Sequence, residues 1–407
     1  MSARTWARRI GWGIAIAIGL GLGAVVIMIG PMNATVHDAE NHVVRLAWDD
    51  AANRLVINEP VREPLALDGP YVRRNADGGF VVMRTVERDG RWRPETTLLP
   101  SQTQTPAIEI RVDNAARTRF EVVLRDAVVP MPATTPMPER LLLLSDMEGE
   151  FDKFVALLQA QGVIDPGLHW RYGTGHVALA GDFVDRGENV LPLLWLIYRL
   201  EDEAVRAGGR VHYVLGNHEL RNLYGSFKAV PRRIFASRDA FFGGDNRRVF
   251  GADTVLGQWL RAHHVIERIG DVLVTHAGIS AEFLAANLSI DEANAIARRE
   301  LDVRGDRLSE DAQPVIGPEG VAWYRGMARP DKATESDTAA HLDAVLARYG
   351  VRRIAIGHSL VPHAGIEHGG KLLRLDVLHA EQLPEALLLE DGRVLRVDAA
   401  GGRQVLR

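Results

Sequence analysis

Five apolar runs in the second half of the chain each end in a polar residue of a kind that binds metals. The runs and the residues that follow them are 141–144 before Ser145-Asp146-Met147-Glu148-Gly149, 177–180 before Gly181-Asp182-Phe183-Val184-Asp185-Arg186-Gly187, 211–215 before Gly216-Asn217-His218-Glu219, 272–275 before His276-Ala277-Gly278, and 354–356 before Gly357-His358-Ser359. Each run has the length and composition of a buried strand. Because ligands of α/β sheets bind at the carboxyl ends of the strands, the pattern predicts one convergent metal site.

Segments with helical spacing separate these strands. Residues 151–161, 190–200 and 255–263 are predicted helices because their apolar positions recur every three to four residues. Asp146, Asp182 and Asn217 follow one another at intervals of about 35 residues, the length of a strand–helix–strand unit. Asp391-Gly392 between the apolar runs 386–389 and 394–397 predicts a terminal hairpin with a type I′ turn. Residues 140–407 are therefore predicted to form an α/β (α+β) domain.

Residues 40 to about 126 have a different pattern. Apolar and polar positions alternate at 43–48, 54–57, 80–83, 107–112 and 120–124, with turn residues at 75–79 and 89–90. The pattern predicts a small β sandwich or barrel, without a catalytic constellation, that serves as a spacer or accessory domain. Four prolines between 129 and 138 then predict a stiff linker with no regular element.

The N-terminal stretch from residues 10 to 29 is uninterrupted and apolar, and Arg4, Arg8 and Arg9 precede it. Its twenty residues would span about 30 Å as a helix, which is the thickness of a bilayer core. Arginines occur near this stretch only on its N-terminal side. The positive-inside rule therefore predicts a cytoplasmic N-terminus and a periplasmic catalytic domain. A cleaved signal sequence is the alternative, although no A-x-A cleavage site follows. The predicted division is thus a membrane anchor at 1–31, a β domain at 32–128, a linker at 129–139 and the α/β domain at 140–407.

Length, charge and composition limit the partners and the kinds of active site that the chain can have. The length of 407 residues predicts more than one domain, and the net charge of −5 gives no reason to expect a nucleic-acid partner. The absence of cysteine excludes disulfides, thiolate ligands and cysteine nucleophiles. Asp, Asn and His ligands favour Mn²⁺, Fe or Zn²⁺. Two divalent ions need a bridging carboxylate and about three further ligands each. Most of these ligands are provided by Asp146, Asp182, Asn217, His276 and His358.

The ordered motifs D-x-E-G, G-D-x-V-D-R-G, G-N-H-E, H-A-G and G-H-S resemble those of the calcineurin-like metallophosphoesterases. Within that superfamily they are most similar to the phosphoprotein phosphatases, especially the bacterial Shewanella-like protein phosphatases. The resemblance covers about residues 139–380 and implies a β-sandwich of mixed sheets flanked by helices. It also implies two divalent metal ions and hydrolysis of phosphomonoesters by in-line attack of a metal-activated water.

By motif position, the resemblance implies that Asp182 bridges the two metals. Asp146 and His358 would serve one metal, and Asn217 and His276 would serve the other.

The resemblance also assigns the catalytic and phosphate-binding residues. His218 would protonate the leaving group, and Asp185 would hold it in orientation. Arg186 would bind phosphate oxygens, and Arg325 in the segment W-Y-R-G would be a second phosphate clamp.

The first motif departs from the family pattern, because Glu148 stands where D-x-H has its histidine. A carboxylate can still be a ligand, and it would make the site more anionic and harder. The alternative is an impaired first metal site.

The predicted function is a metal-dependent phosphomonoesterase, in particular a serine/threonine or tyrosine protein phosphatase. The alternatives are a nucleotide or dinucleoside-polyphosphate hydrolase of the same superfamily and a non-catalytic, membrane-tethered binding module. The presence of both His218 and Asp182 favours an enzyme. The predicted partners are a phosphorylated protein or small phosphoester and the membrane, while the oligomeric state has no signal in the sequence.

Overall fold

The computed structural model describes residues 64–101, 106–333 and 338–407, together with the backbone of three strands near the N-terminus. The chain divides into two compact units, Met1–Glu63 and Pro64–Arg407. The first unit contains an antiparallel sheet of β1 (Ala34–His37), β2 (Val43–Asp49) and β3 (Arg54–Asn58). The strands predicted at 43–48 and 54–57 are therefore confirmed.

The predicted membrane segment at residues 10–29 lies outside the described residues. Among the helices that the structure does describe, none is both long enough and apolar enough to span a bilayer.

The second unit alternates strands and helices over most of its length. Its strands are β4 (Tyr71–Arg74), β5 (Phe80–Arg88), β6 (Arg91–Leu99), β7 (Ala107–Arg111), β8 (Arg119–Val123), β9 (Thr134–Thr135), β10 (Arg140–Leu144), β11 (His176–Leu179), β12 (Arg210–Tyr213), β13 (Ile266–Ile269), β14 (Val272–Thr275), β15 (Arg353–Ile356), β16 (Gly365–Glu367), β17 (Leu372–Arg374), β18 (Glu385–Glu390), β19 (Arg393–Asp398) and β20 (Arg403–Val405). Its α-helices are α1 (Phe151–Ala160), α2 (Val190–Arg206), α3 (Asn217–Leu223), α4 (Arg232–Phe242), α5 (Val255–Ala262), α6 (Ala281–Ala285), α7 (Ile290–Arg299), α8 (Gln313–Ile316) and α9 (Thr338–Tyr349). The three predicted helices correspond to α1, α2 and α5.

Two mixed six-stranded sheets form the centre of this unit. Their strand orders are β12-β11-β10-β18-β19-β20 and β16-β17-β15-β14-β13-β9. In the first sheet β10, β11 and β12 run parallel, and in the second β14, β15 and β17 do. The terminal hairpin β18–β19 turns at Asp391 and Gly392, both with positive φ, so the predicted two-residue type I′ turn is confirmed.

The two sheets pack face to face, and helices cover their outer faces. Leu141 and Leu143 of β10 share an apolar cluster with Val272 and Val274 of β14 from the opposite sheet. The alternate residues of β10, Leu142 and Leu144, belong to the cluster formed with the helices. Both faces of β10 are therefore buried, which explains why its sequence is continuously apolar rather than alternating. The mixed α/β sandwich predicted from the sequence is confirmed.

The strands β4 to β8 pack directly onto the helices of the sandwich. The indole Nε1 of Trp195 in α2 donates a hydrogen bond of 2.9 Å to the carbonyl of Pro70. The ring of Phe120 in β8 stacks on Phe151 of α1 with 6.0 Å between centroids. Residues 64–128 consequently share one compact unit with residues 140–407, and the division of the chain lies at Glu63 rather than at the proline-rich stretch. The observed division of the chain therefore differs from the predicted domain boundaries. Alternating apolar and polar residues show that a strand has an apolar face, but they do not show what that face packs against.

The proline-rich stretch contains a regular element after all. Thr134 and Thr135 form β9, which pairs with β13 at the edge of the second sheet. The amides of Arg268 and Gly270 donate to the carbonyls of Ala133 and Thr135, each at 2.8 Å. Proline lacks an amide donor but keeps its neighbours extended, so a short edge strand tolerates prolines at flanking positions whose amides are not needed for pairing. The prediction of a linker without regular structure was wrong at these two residues.

A largely buried chain of polar side chains, of which His176 is half-buried, joins the two sheets at one edge. His176 Nδ1 lies 3.0 Å from His212 Nε2, and His212 Nδ1 lies 2.6 Å from the carboxylate of Glu267. Burial, together with the neighbouring His212, lowers the pKa of His176 to about 4. Burial also lowers the pKa of His212. The fold therefore holds this pair in its neutral form.

We expect this neutral pair to make the fold sensitive to acid. The unfolded chain takes up a proton at His176 below about pH 6.5, whereas the folded chain does so only near pH 4. Stability that is fully present above pH 6.5 is therefore lost as the pH falls toward 4. Urea unfolding across this range should show a shallower pH dependence for His176→Gln than for the wild type. An identical pH dependence in the two proteins would contradict the assignment.

Candidate functional site

Asp182, in the loop after β11, is the central residue of the candidate site. Its side chain is buried and contacts two other elements. One carboxylate oxygen accepts a hydrogen bond from the backbone amide of His218 at 2.9 Å. The other lies 3.0 Å from Nε2 of His276. Asp182 thus joins the ends of β11 and β14 to the first turn of α3.

Glu219 fixes the loop of Asp182 to the start of α3. Its carboxylate accepts hydrogen bonds from the backbone amides of Asp182, Phe183 and Gly216 at 2.7–2.8 Å. A Cβ atom at Gly216 would overlap the carboxylate of Asp182, so only glycine permits this approach. Glu219 therefore orients the central carboxylate through its backbone.

The two histidines after β14 and β15 lie beside Asp182. His276 Nδ1 is 2.7 Å from the carbonyl of Ala180, which leaves Nε2 facing Asp182 and, at 3.1 Å, the side-chain oxygen of Asn217. Ligand atoms of Asp182, His276 and His358 all lie within 4.8 Å of one another, so they could hold one metal ion. The structure thus groups His358 with His276, whereas the motif order pairs it with Asp146.

The protonation states of these residues follow from their contacts. Burial disfavours a charged His276, but the Asp182 carboxylate outweighs it and raises the pKa of His276 to about 10. Burial and the charges of His276 and Arg325 lower the pKa of His358 to about 2. His358 is therefore neutral. Its Nε2 lies 3.1 Å from the carbonyl of Trp323, which leaves the lone pair on Nδ1.

Asp146 lies on the other side of the central carboxylate, after β10. It accepts a hydrogen bond of 3.2 Å from the backbone amide of His358. Gly357 permits this contact, because a Cβ there would overlap the Asp146 carboxylate. Burial, and then the nearby carboxylate of Asp376, raises the pKa of Asp146 well above its usual range.

Glu148 forms an ion pair with Arg186 across the cleft. Its ligand atom also lies within 4.8 Å of those of Asp182 and His218. Glu148 therefore contacts a phosphate-binding candidate and lies close to the metal-binding candidates. From this position Glu148 could either pair with Arg186 or bind a metal ion.

His218 is held by a buried carboxylate. Its Nδ1 lies 2.6 Å from Asp185, and the second carboxylate oxygen of Asp185 accepts a hydrogen bond from the side chain of Asn222 at 2.8 Å. The ring then presents Nε2 toward Asp182, at 3.9 Å from its carboxylate. The imidazole nitrogen that is free for chemistry thus points to the centre of the site.

Arginines complete a cleft of about 840 Å³. Arg325 donates hydrogen bonds to the carbonyl of His358 at 2.7 Å and to the hydroxyl of Ser359 at 3.0 Å. Arg221 lies over the ring of Trp323 at 4.6 Å. The structure brings all ten predicted site residues to this cleft or into contact with its lining: Asp146, Glu148, Asp182, Asp185, Arg186, Asn217, His218, His276, Arg325 and His358.

Six of these ten residues have a left-handed backbone. Positive φ values are found at Asp146, Glu148, Asp182, Asp185, Arg186 and His358. Non-glycine residues adopt this conformation rarely, and it concentrates at functional sites, where the surrounding structure enforces it. The residues with a strained backbone therefore lie in the same loops as the sequence motifs.

Two residues of the site were missed in the sequence. Asn222 supports Asp185 from one turn further along α3, and no motif marks it. Asp376 lines the cleft after β17 and is buried. A weaker signal was present, because Asp376 follows the segment Leu372 to Leu375, which is apolar except for Arg374. His379 also lines the cleft, is buried, and lies 3.1 Å from the Ser145 carbonyl.

The sequence profile of the calcineurin-like phosphoesterase family matches residues 139–362, more than half of the chain. The chain belongs to this family. The predicted resemblance is thereby confirmed, and so is the prediction of an enzyme: this calcineurin-like phosphoesterase is a hydrolase that acts on phosphoesters. Members of the family use divalent metal ions. The oxygen and imidazole donors grouped around Asp182 fit such ions.

Known proteins similar to this calcineurin-like phosphoesterase include protein phosphatases. The crystal structure of a cold-active protein-tyrosine phosphatase from a psychrophilic Shewanella is 30% identical, with a TM-score of 0.73, over 84% of this chain and all of that one. Shewanella-like protein phosphatase 2 of Arabidopsis thaliana is 26% identical over 64% of this chain and 77% of its own length. A symmetrical bis(5'-nucleosyl)-tetraphosphatase of Neisseria meningitidis is 28% identical over 45% of this chain and 58% of its own length.

Proposed function

We propose that this calcineurin-like phosphoesterase is a metal-dependent protein phosphatase in which His218 is the general acid. The observation that carries the proposal is the orientation of His218. Asp185 holds its Nδ1 at 2.6 Å, and Nε2 faces the cleft 3.9 Å from the central carboxylate of Asp182. A general acid must lie within reach of the leaving-group oxygen, and the Nε2 of His218 is directed into the cleft where that oxygen would lie.

The remaining residues divide into those that would hold metal and those that would hold phosphate. Asp182 would be shared by two ions, with Asn217, His276 and His358 on one side and Asp146 on the other. Bound there, the ions would supply a nucleophilic water at neutral pH and neutralise charge on the phosphoryl group. Glu148 would add a ligand on the Asp146 side, as proposed from its motif position.

Arg186 and Arg325 would bind the phosphate oxygens. The side chain of Arg186 is 57% exposed, so it can swing toward an incoming phosphate. Arg325 is held by the His358 carbonyl and Ser359, which fixes its guanidinium at the edge of the metal-binding group. A planar guanidinium binds two phosphate oxygens at once and orients the group for in-line attack.

A protein substrate is favoured over a dinucleotide by the rim of the cleft. Leu360 lines the cleft and is 63% exposed, so a side chain flanking the phosphorylated residue could pack against it. The similarity to a protein-tyrosine phosphatase also extends over more of the chain than the similarity to the tetraphosphatase. Tyrosine and serine/threonine substrates both remain within this proposal.

The test is a substrate panel on the purified full chain, with metal content measured on the same sample. Phosphotyrosine and phosphoserine peptides should be hydrolysed with higher kcat/KM than diadenosine tetraphosphate. Asp182→Asn should lose activity on all of them, which excludes a contaminating phosphatase. Higher kcat/KM on the dinucleotide would favour the tetraphosphatase function instead, and an active enzyme without bound metal would refute the mechanism.

We also propose that the catalytic domain lies outside the cytoplasm, anchored by residues 10–29. The support is in the sequence, where arginines precede the apolar stretch and acidic residues follow it. Protease added to intact spheroplasts should then digest the phosphatase domain. Full protection in intact spheroplasts, together with digestion after lysis, would contradict this topology.

A further inference from the structure

Asp376 occupies a sixth strand end at the same edge of the sandwich. It follows β17, which pairs in parallel with β15, the strand that precedes His358. The amide of Leu375 donates to the carbonyl of Ile356 at 2.9 Å, and the carbonyl of Asp376 accepts from the amide of Val361 at 2.8 Å. Its backbone is therefore fixed on both sides, with the side chain on the wall of the cleft.

The carboxylate of Asp376 has no hydrogen-bond donor among the described residues. It is nevertheless only 6% exposed. The positive groups that act on it, His276, Arg186 and Arg325, do so only through space. Arg186 instead pairs with Glu148, and Arg325 donates to the loop of His358. An uncompensated buried carboxylate is strongly unfavourable, so this one is expected to have a counterion that the protein itself does not provide.

The distribution of charge indicates where that counterion lies. Glu148 is neutralised by Arg186, and Asp182 by the protonated His276. Asp146 and Asp376 are left as a pair of buried carboxylates, and neither forms an ion pair within the part of the chain that the structure describes. Both carboxylates line the same cleft.

We propose that Asp376 is a further metal ligand, which contributes a carboxylate oxygen to the ion held by Asp146. This inference rests on the proposed metal-dependent function. It explains how the site accommodates a glutamate in place of the usual histidine: with Asp146, Asp182 and Asp376, the ion on this side already has three carboxylates. An oxygen-only donor set is hard and favours Mn²⁺ over Zn²⁺.

The test is a titration of Mn²⁺ alone into the metal-stripped full chain, with bound metal counted by elemental analysis. Wild type should bind two ions. Asp376→Asn should keep one and bind the second at least about 10-fold more weakly, since even outer partners of metal ligands are worth 10–100-fold. Asp376→Glu, which retains the carboxylate, should bind the second ion more tightly than Asp376→Asn. Glu381→Gln, a change at an exposed carboxylate of the same cleft, should match wild type.

Thermal unfolding of the metal-free proteins separates a lost ligand from a damaged fold. Because Asp376→Asn removes an uncompensated charge, its metal-free unfolding temperature should equal or exceed that of wild type. A lower value would show that a protein group compensates Asp376, and two ions bound with wild-type affinity would exclude it as a ligand. Either result would overturn this inference alone. Wild type that binds no Mn²⁺ would overturn the proposed metal centre as well.

Discussion

His218→Asn should retain its metals and lose about 10²–10⁴-fold in kcat on phosphoserine peptides, the usual contribution of a general acid. The loss on nitrophenyl phosphate should be much smaller. A serine alkoxide is a poor leaving group that needs a proton as the P–O bond breaks, whereas nitrophenolate leaves without one. The dependence on the leaving group is therefore the signature of proton donation, and steady-state kinetics on the two substrates measures it.

The controls for this experiment come from the contacts of His218. Asp185→Asn removes the charge that orients the ring at 2.6 Å, so it should reproduce the same pattern in weaker form. Asn222→Ala removes the hydrogen bond that holds Asp185 and should have the smallest effect of the three. Equal losses on both substrates, with metals retained, would show that His218 positions phosphate or water instead of donating a proton.

The core of the sandwich could be predicted because its strands are buried on both faces. Such strands are continuously apolar, and a polar residue at their end stands out against that background. The polar residues that follow β10, β11, β14 and β15, together with Asn217 and His218 after β12, do converge on one cleft. Asp376 follows a short strand that contains Arg374, in a region that matched no motif, which is why it was overlooked.

Other features depended on contacts that no local pattern encodes. The alternating strands of residues 71–123 could have formed a separate domain or packed on helices, and Trp195 and Phe151 on the helices decide between these outcomes. Left-handed backbone at Asp146 or Asp182 is likewise imposed by neighbouring loops. The grouping of His358 with His276 depends on how β15 lies against β14, which the order of motifs does not fix.

The sequence and the structure indicate different roles for Glu148. The motif places it as a metal ligand, while the structure pairs it with Arg186. The two roles differ in what fails when the carboxylate is removed. Loss of a ligand weakens metal binding, and loss of an arginine partner raises KM for the phosphoester while the metals stay in place.

We expect the ligand role to prevail once metal is present, because two divalent ions attract the carboxylate more strongly than one half-exposed guanidinium does. Glu148→Ala should then bind metal at least about 10–100-fold more weakly and lose turnover in parallel. Glu148→His, which restores the family's usual donor, should keep measurable metal and activity, whereas Arg186→Ala should raise KM with both ions retained. Metal analysis alongside kcat and KM for the three variants decides the question. An alanine variant with unchanged metal content and the KM defect of Arg186→Ala would assign Glu148 to the phosphate-binding arginine instead.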